Sequence, residues 1–252
     1  MLDRITPLIL TRNEEANIGR TLAQLAWARE VIVVDSVSSD ATAAIARRFP
    51  NVRLIERAFD SHAAQWAFGA AQVVTGWVLT LDADYYVPEA FVQEIANLDP
   101  PADVAGYEAA FTYAINGRPL RATLYTPRAV LLRQGAFEIW QDGHTQRVRV
   151  NGRVERLRTR LLHDDRKNLR RFIERQRAYM RREAEKLRAT PWRRLPLSGR
   201  IRKLRVVSPF LILPYVLLAK RAILDGSAGF RYAYERFLAE WILSIELFRR
   251  RN

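Results

Sequence analysis

The chain contains no cysteine, which excludes a disulfide framework, a thiolate metal site and a cysteine nucleophile; the composition fits a reducing compartment. No secretory leader is visible, because Leu2-Asp3-Arg4 opens onto a short strand-like run and not onto an apolar h-region. Val206 to Ala219 is almost entirely apolar but stops at fourteen residues, short of the ~20 that a transmembrane helix needs. Acidic residues are scarce in one part only. Residues 151–252 hold 10 Asp and Glu against 27 Lys and Arg, a balance of +17, whereas residues 1–150 hold 17 against 14, a balance of −3. The overall charge of +14 therefore belongs to the C-terminal part, which suggests an appended surface for something anionic: phospholipid head groups, a diphosphate-linked substrate or nucleic acid. The length of 252 residues, 49% of them hydrophobic, suffices for one large domain or a domain with an appendage.

Periodicity organises the first hundred residues. Ile5 to Thr11, Glu30 to Asp35, Val52 to Ile55 and the run ending at Asp82 read as strands. Helical spacing fills Asn17 to Trp27, Ala41 to Arg48, Ser61 to Val74 and Pro88 to Leu98. Strand and helix alternating in this way predict an α/β fold with a mostly parallel sheet and right-handed crossovers. From residue 104 to 135 the alternation shortens, as in Tyr107 to Tyr113 and Ala129 to Leu132 around an Asn116-Gly117 turn, and antiparallel strands beside the parallel sheet are expected. A further strand, Arg147 to Val150, turns at Asn151-Gly152, and Asn168 to Leu187 reads as a strongly basic helix.

Acidic residues gather where such a sheet binds ligands, at the carboxyl ends of its strands. Asn13-Glu14-Glu15 follows the first strand, Asp35 ends the second, and Asp82 and Asp84 end the fourth; Asp142 lies beyond the hairpins. Each alone has a plain structural role: helix N-terminal charge for Glu14 and Glu15, a turn former for Asp35, a solvated turn for Asp82 and Asp84, half of an Asp-Gly turn for Asp142. As a set they suit a divalent ion that also holds substrate phosphates, since hard oxygen ligands favour Mg²⁺ or Mn²⁺.

Three stretches carry a family resemblance: Leu10-Thr11-Arg12-Asn13-Glu14-Glu15, Val33-Val34-Asp35-Ser36 with Ser39-Asp40-Ala41-Thr42, and Leu79-Thr80-Leu81-Asp82-Ala83-Asp84. In order and spacing they resemble the family-2, inverting nucleotide-sugar glycosyltransferases of the GT-A (Rossmann-like) fold. Asp142-Gly143-His144-Thr145-Gln146 and His163-Asp164-Asp165-Arg166-Lys167 are similar to a bacterial branch that builds lipopolysaccharide cores, exopolysaccharides and related glycolipids. The resemblance implies a sugar transferred from a nucleotide-diphosphate donor, UDP-sugar favoured, to a lipid-linked saccharide. It implies that Thr11, Asn13, Glu14 and Asp35 hold the base and ribose, that Asp82 contacts ribose or metal-bound water, and that Asp84 ligates Mg²⁺ or Mn²⁺. Asp142 would be the base, His163 a further metal ligand or phosphate donor, and Arg166 and Lys167 phosphate neutralisers. His144 and Trp140 would orient the base or touch the acceptor. The chain departs from many relatives at Val37, where they carry glycine, so the turn must avoid positive φ or bear strain; it also has Tyr85 where they carry an acid.

The resulting division assigns residues 1–165 to the catalytic domain and 166–252 to a basic helical region. Basic residues on both sides of Val206 to Ala219 fit a re-entrant or interfacial segment, with a kinked core helix as the alternative. Phe237 to Phe248 places Phe237, Leu238, Trp241, Ile242, Ile245 and Phe248 on one helical side, for the same membrane or for contact with a second copy in a homo-oligomer. Together these place the expected enzyme at the cytoplasmic face of the inner membrane, on an anionic surface. Alternatives are transfer to a polyprenyl phosphate, a silent nucleotide-sugar sensor, and a nucleic-acid binder, the last explaining the charge but nothing in residues 1–150; no specific nucleic acid is expected.

Overall fold

The structure is a computed structural model and describes residues 1–142, 145–166 and 168–249, the side chains of Asp142 and Thr145 excepted. Two compact units are present: Met1–Asn116 with Leu124–Arg166, and Gly117–Thr123 with Lys167–Asn252. The first begins β1 (Ile5–Thr11), α1 (Ile18–Ala23), β2 (Val31–Asp35), α2 (Thr42–Ala46), β3 (Val52–Glu56), α3 (His62–Ala71), β4 (Trp77–Asp82), β5 (Tyr85–Tyr86) and α4 (Glu89–Ala96). It continues through β6 (Val104–Ala109) and β7 (Phe111–Ile115). After β8 (Arg118–Pro119), which belongs to the second unit, come β9 (Arg128–Arg133), β10 (Phe137–Asp142), β11 (Thr145–Val150), β12 (Arg153–Arg156) and β13 (Leu161–His163).

The central sheet has the order β12-β6-β9-β4-β1-β2-β3. β1 is parallel to both β2 and β4, and β2 is parallel to β3, while β9 runs antiparallel to β4 and β6. The result is a mixed α/β fold whose central sheet is mostly parallel. β12 adds to the edge in parallel with β6, and the antiparallel strands expected within residues 104–135 are β6 and β9. The run from Tyr107 to Tyr113 is broken at Ala110: β6 stays in the main sheet, whereas β7 joins a small sheet with β13 and β5. β10 and β11 pair only with each other.

Strand alternation explains the two cores. Ile5, Ile9, Val31, Val33, Leu79 and Leu81 pack on one face with Ile18, Leu22 and Phe91 of the helices. Leu8, Ile32, Val34 and Val78 pack on the other with Trp66, Ala70 and the hairpin residues Phe137 and Ile139. Both faces are covered, which is why β2 is buried along its whole length. Gly69 lets α3 approach β1 closely, since a Cβ there would come 2.6 Å from Leu8 Cδ1.

The second unit is helical: α5 (Leu169–Ala189), α6 (Leu197–Lys203), α7 (Val207–Pro214), a wide turn over Tyr215–Ala219, and α8 (Gly226–Phe248). Asn168 caps α5, its side chain accepting from Arg171 N. Met180, Ala184 and Leu187 of α5 meet Leu195 and the α8 residues Leu243 and Leu247 in a small core. No single described helix is long and apolar enough to cross a membrane, although Val207–Ala219 and Ala222–Phe248 pass together as a pair bent by 70°.

Candidate functional site

The site is assembled where β4, β1 and β2 end side by side. Thr11 is in register with Asp35, and Leu10 with Asp82, so three chemistry-bearing strand ends share one sheet edge. The loops beyond β1 and β2 are fastened together. Asn13 N donates to Ser38 Oγ at 2.8 Å, Ser39 N to Asn13 Oδ1 at 2.9 Å, and Glu14 N to Thr42 Oγ1 at 2.7 Å. Thr11 Oγ1 donates to Asp35 Oδ1 at 2.7 Å, and Asp35 also accepts from Ser38 N at 2.7 Å and Ser38 Oγ at 2.6 Å. Asp35 is buried and closes this turn, the role given to it by the plain reading. Val37, within the turn, has φ +54°: the turn bears the strain that glycine would have avoided.

At the end of β4 the chain turns, as the placement of Tyr85–Tyr86 in a separate strand requires. Asp82 is half-buried. Asp84 is buried, with Oδ2 3.0 Å from His163 Nε2. Burial opposes the imidazolium, but the charge and hydrogen bond of Asp84, with Asp82 and Asp165 beyond it, outweigh that and raise the His163 pKa above its ordinary value. Tyr113 and Tyr125 approach the imidazole with centroid distances of 4.8 and 4.7 Å. Burial, and then the charge of Asp82, push the Tyr85 and Tyr125 phenols up, so both stay neutral at physiological pH.

Two residues of α1 with its cap, none marked by the motifs, hold this corner. Thr21 Oγ1 lies 2.6 Å from Ala83 O and 2.8 Å from Tyr85 O, fixing the turn that carries Asp84. Arg20 pairs with the buried carboxylate of Asp164 and donates to Asp164 O at 2.6 Å. Asn17, the cap, accepts from Arg166 N at 3.1 Å and donates to Asp165 Oδ1 at 3.2 Å and Glu14 Oε2 at 2.9 Å. Asp164 N in turn donates to Asp84 O at 3.1 Å. The strand-end turns and the His163–Arg166 segment are thereby one structure. Arg20 and Asp164 are 144 residues apart in sequence, and no local pattern announces such a pairing.

Arg166 Nε donates to Asp164 Oδ2 at 3.0 Å, while its side chain remains 46% exposed; the guanidinium retains an open face toward solvent. Lys167 and His144 lie outside the described residues. The Asp142 backbone ends β10, in register with Thr145. Its position is set by neighbours: Gln141 Oε1 accepts from Ala63 N at 3.1 Å in the first turn of α3, and Gln65, also on α3, donates to Ser36 Oγ at 3.1 Å beside Asp35. The hairpin end thus adjoins the carboxyl edge of the sheet. Trp140 is exposed, whereas Trp66 and Tyr85 are core residues.

The donor set suits a hard divalent ion. Asp84 and His163 offer one carboxylate and one imidazole, with Asp82 two residues away in sequence. No three His, Asp or Glu side chains among the described residues converge to hold an ion. An ion here would take its remaining positions from diphosphate and water, as Mg²⁺ and Mn²⁺ commonly do.

Residues 8–187 match the profile of Glycosyl transferase family 2. An uncharacterized glycosyltransferase of Rickettsia felis is 34% identical over 95 residues, 37% of this chain and 33% of that protein. The lipopolysaccharide core biosynthesis glycosyltransferase LpsC of Rhizobium meliloti is 27% identical over 111 residues, 42% of this chain and 41% of that protein. The chain thus spans about a third to two-fifths of the length of the curated relatives it matches. Among solved structures, S. aureus TarS 1-349 in complex with UDP aligns at a TM-score of 0.47 and 15% identity, over 95% of this chain and 89% of that one.

Proposed function

The chain belongs to glycosyl transferase family 2, and from that premise we propose that it transfers a sugar, with inversion, from a nucleotide-diphosphate donor to a lipid-linked saccharide of the bacterial envelope. The observation that carries the reading is the Asp84–His163 pair beside Asp82, on the same sheet edge as the fastened Thr11–Glu14 and Asp35–Thr42 loops. UDP-sugar is the favoured donor.

In this reading Thr11, Asn13, Glu14 and Asp35 of the two fastened loops hold the base and ribose. Asp84 and His163 would hold Mg²⁺ or Mn²⁺, which would supply charge neutralisation for the leaving diphosphate. Arg20 and Thr21 keep those two ligands in place, and Arg166 faces the phosphates. Asp142 takes the proton of the acceptor hydroxyl as its oxygen attacks the anomeric carbon. The bond from that carbon to the diphosphate oxygen breaks, and the electron pair leaves with the nucleoside diphosphate.

The second unit supports a membrane-bound acceptor. On α8, Glu235, Glu240 and Glu246 are buried, paired with Arg231, Arg202 and Arg249, while Phe230, Tyr234, Trp241, Ile245 and Phe248 face outward. Phe210, Leu211, Tyr215 and Leu218 are also exposed, with Phe210 at 60%. Arg205, Lys220 and Arg221 flank this apolar surface in sequence. An outward apolar face beside basic groups fits the interface of an anionic bilayer, here the cytoplasmic face of the inner membrane.

A thermal-shift panel of UDP, GDP, CDP and dTDP sugars, each with and without Mn²⁺, tests the donor site on the wild type and on Asp84→Ala. A ligand at a hundred times its Kd adds about 2.7 kcal/mol. A metal-dependent shift with one nucleotide, lost in Asp84→Ala, is expected; folded protein shifted by none would overturn the reading. Flotation with phosphatidylglycerol vesicles should fail for Phe210→Ser/Trp241→Ser, and equal flotation of that variant would remove the membrane part.

A further inference from the structure

We propose that Arg128, the first residue of β9, binds the diphosphate of the donor and stabilises the charge that the leaving nucleoside diphosphate gains. The inference rests on the nucleotide-sugar reading of this site and adds to it a residue from a strand that carries none of the family motifs.

Sheet direction brings Arg128 to the site. β9 runs antiparallel to β4, with Leu131 opposite Leu79, and Thr80 Oγ1 donates to Val130 O at 3.1 Å. Arg128 lies three residues before Leu131, and Asp82 three residues after Leu79. The antiparallel course therefore sets the start of β9 beside the end of β4, at the sheet edge where such folds bind ligands. The charges of Asp82 and Asp84 act on the Arg128 guanidinium. On its other side β9 pairs with β6, Arg128 in register with Ala109, so the backbone at this point is held from both neighbours.

The side chain is positioned without being neutralised. Arg128 Cζ stands 4.5 Å from the centre of the Tyr125 ring, a cation-π contact that needs no carboxylate. Tyr125 is itself fixed: its hydroxyl lies 3.2 Å from that of Tyr85, and its ring 4.7 Å from the His163 imidazole and 5.1 Å from Phe111. Arg128 is exposed, and among the described residues its guanidinium closes no ion pair. Arg20 and Arg166 differ, since both pair with the buried carboxylate of Asp164.

With Asp82 and Asp84 counted, the corner beside Arg128 is negative, so a diphosphate enters it only together with a divalent ion. The two carboxylates already match the charge of that ion. As the bond from the anomeric carbon to the diphosphate oxygen breaks, its electron pair stays on the diphosphate, and the added charge needs a cation not committed elsewhere. A guanidinium offers paired N–H donors to phosphate oxygens, and Arg128 has them to give.

The test is calorimetric titration of UDP and of uridine, with Mn²⁺ in excess, into the full chain as wild type, Arg128→Gln, Arg128→Lys and Arg48→Gln. The ratio of the uridine Kd to the UDP Kd measures what the diphosphate contributes. In Arg128→Gln that ratio should fall about tenfold or more, with the uridine Kd within about twofold of wild type. It should fall less in Arg128→Lys, which keeps the charge without the fork. Arg48→Gln removes the same charge from an exposed arginine after α2 and should leave the ratio unchanged. An unchanged ratio in Arg128→Gln, or an equal fall in Arg48→Gln, would overturn the proposal. So would a parallel loss of uridine and UDP binding, which marks a structural role. Folded wild type that binds no UDP removes the UDP donor reading and this proposal with it, whereas UDP binding that Arg128→Gln leaves intact removes this proposal alone.

Discussion

Replacing Val37 by glycine should make the protein more stable, although it deletes a side chain. Val37 has φ +54° in a turn closed from three sides, by Ser38 N, Ser38 Oγ and Thr11 Oγ1 on the Asp35 carboxylate. A non-glycine residue in the left-handed region costs about 1–2 kcal/mol, and a β-branched one sits at the upper end. Little burial offsets the loss, because Val37 is 61% exposed. Glycine releases the strain but adds roughly 0.5–1 kcal/mol of unfolded-state entropy. The net gain is about 0.5–1 kcal/mol, or roughly 1–4 °C in Tm for a chain of this size. Val37→Ala keeps the strain and should melt within about 1 °C of wild type. Thermal denaturation of the three proteins in parallel decides it. A Val37→Gly protein melting at or below Val37→Ala would refute the strain argument, since only the left-handed backbone separates their expected behaviour.

Arg20→Ala removes one of the two guanidinium groups on the buried Asp164 carboxylate and leaves Arg166, and should cost about 1.5–3 kcal/mol in urea unfolding; a loss under about 1 kcal/mol would show that Arg166 alone suffices to hold it. His163→Ala should weaken Mn²⁺ binding, titrated calorimetrically with UDP present, by tenfold or more, and unchanged affinity would remove His163 from the ligand set. Glu94 supplies a pH signature. Burial raises its pKa, but hydrogen bonds from Arg158 N and Thr159 N, at 2.7 and 2.8 Å, lower it further, leaving it below 4.5 in the folded state. Its contribution is therefore present above pH 4.5 and lost as pH falls through the depressed folded value. Glu94→Gln should flatten that part of the stability profile, and an identical acid slope in the variant would show that other carboxylates set it.

The strand ends that build the site were legible because their signals are local. β1 runs from Ile5 to Thr11, as its composition predicts, and β2 and β4 end at Asp35 and Asp82. An unbroken β-branched run says both that a strand is buried on two faces and where its polar terminus begins. The helices α1 to α4 were placed correctly but are shorter, α1 ending at Ala23 and not at Trp27, because apolar periodicity continues through the turns that pack on the same core. The late strands were harder. Whether β12 pairs parallel or antiparallel, and whether β7 stays with β6, depends on which edge has unpaired backbone groups, and that is settled by neighbours distant in sequence.

Sequence alone determined the order of the parallel elements, the acidic character of their ends, the basic C-terminal part and the family. Tertiary structure decided the rest: that Asp35 is occupied in its own turn, that Asp84 meets His163, that Arg20 and Thr21 hold both, and that α8 turns its glutamates in and Trp241, Ile245 and Phe248 out. The reason is the range of the interactions. Hydrophobic period and capping act within a few residues and are written in the local pattern, whereas the partner of a carboxylate is whichever cation the completed fold delivers to it. For Glu240 that is Arg202, and once the pair is buried the apolar side of the helix is the one left facing outward.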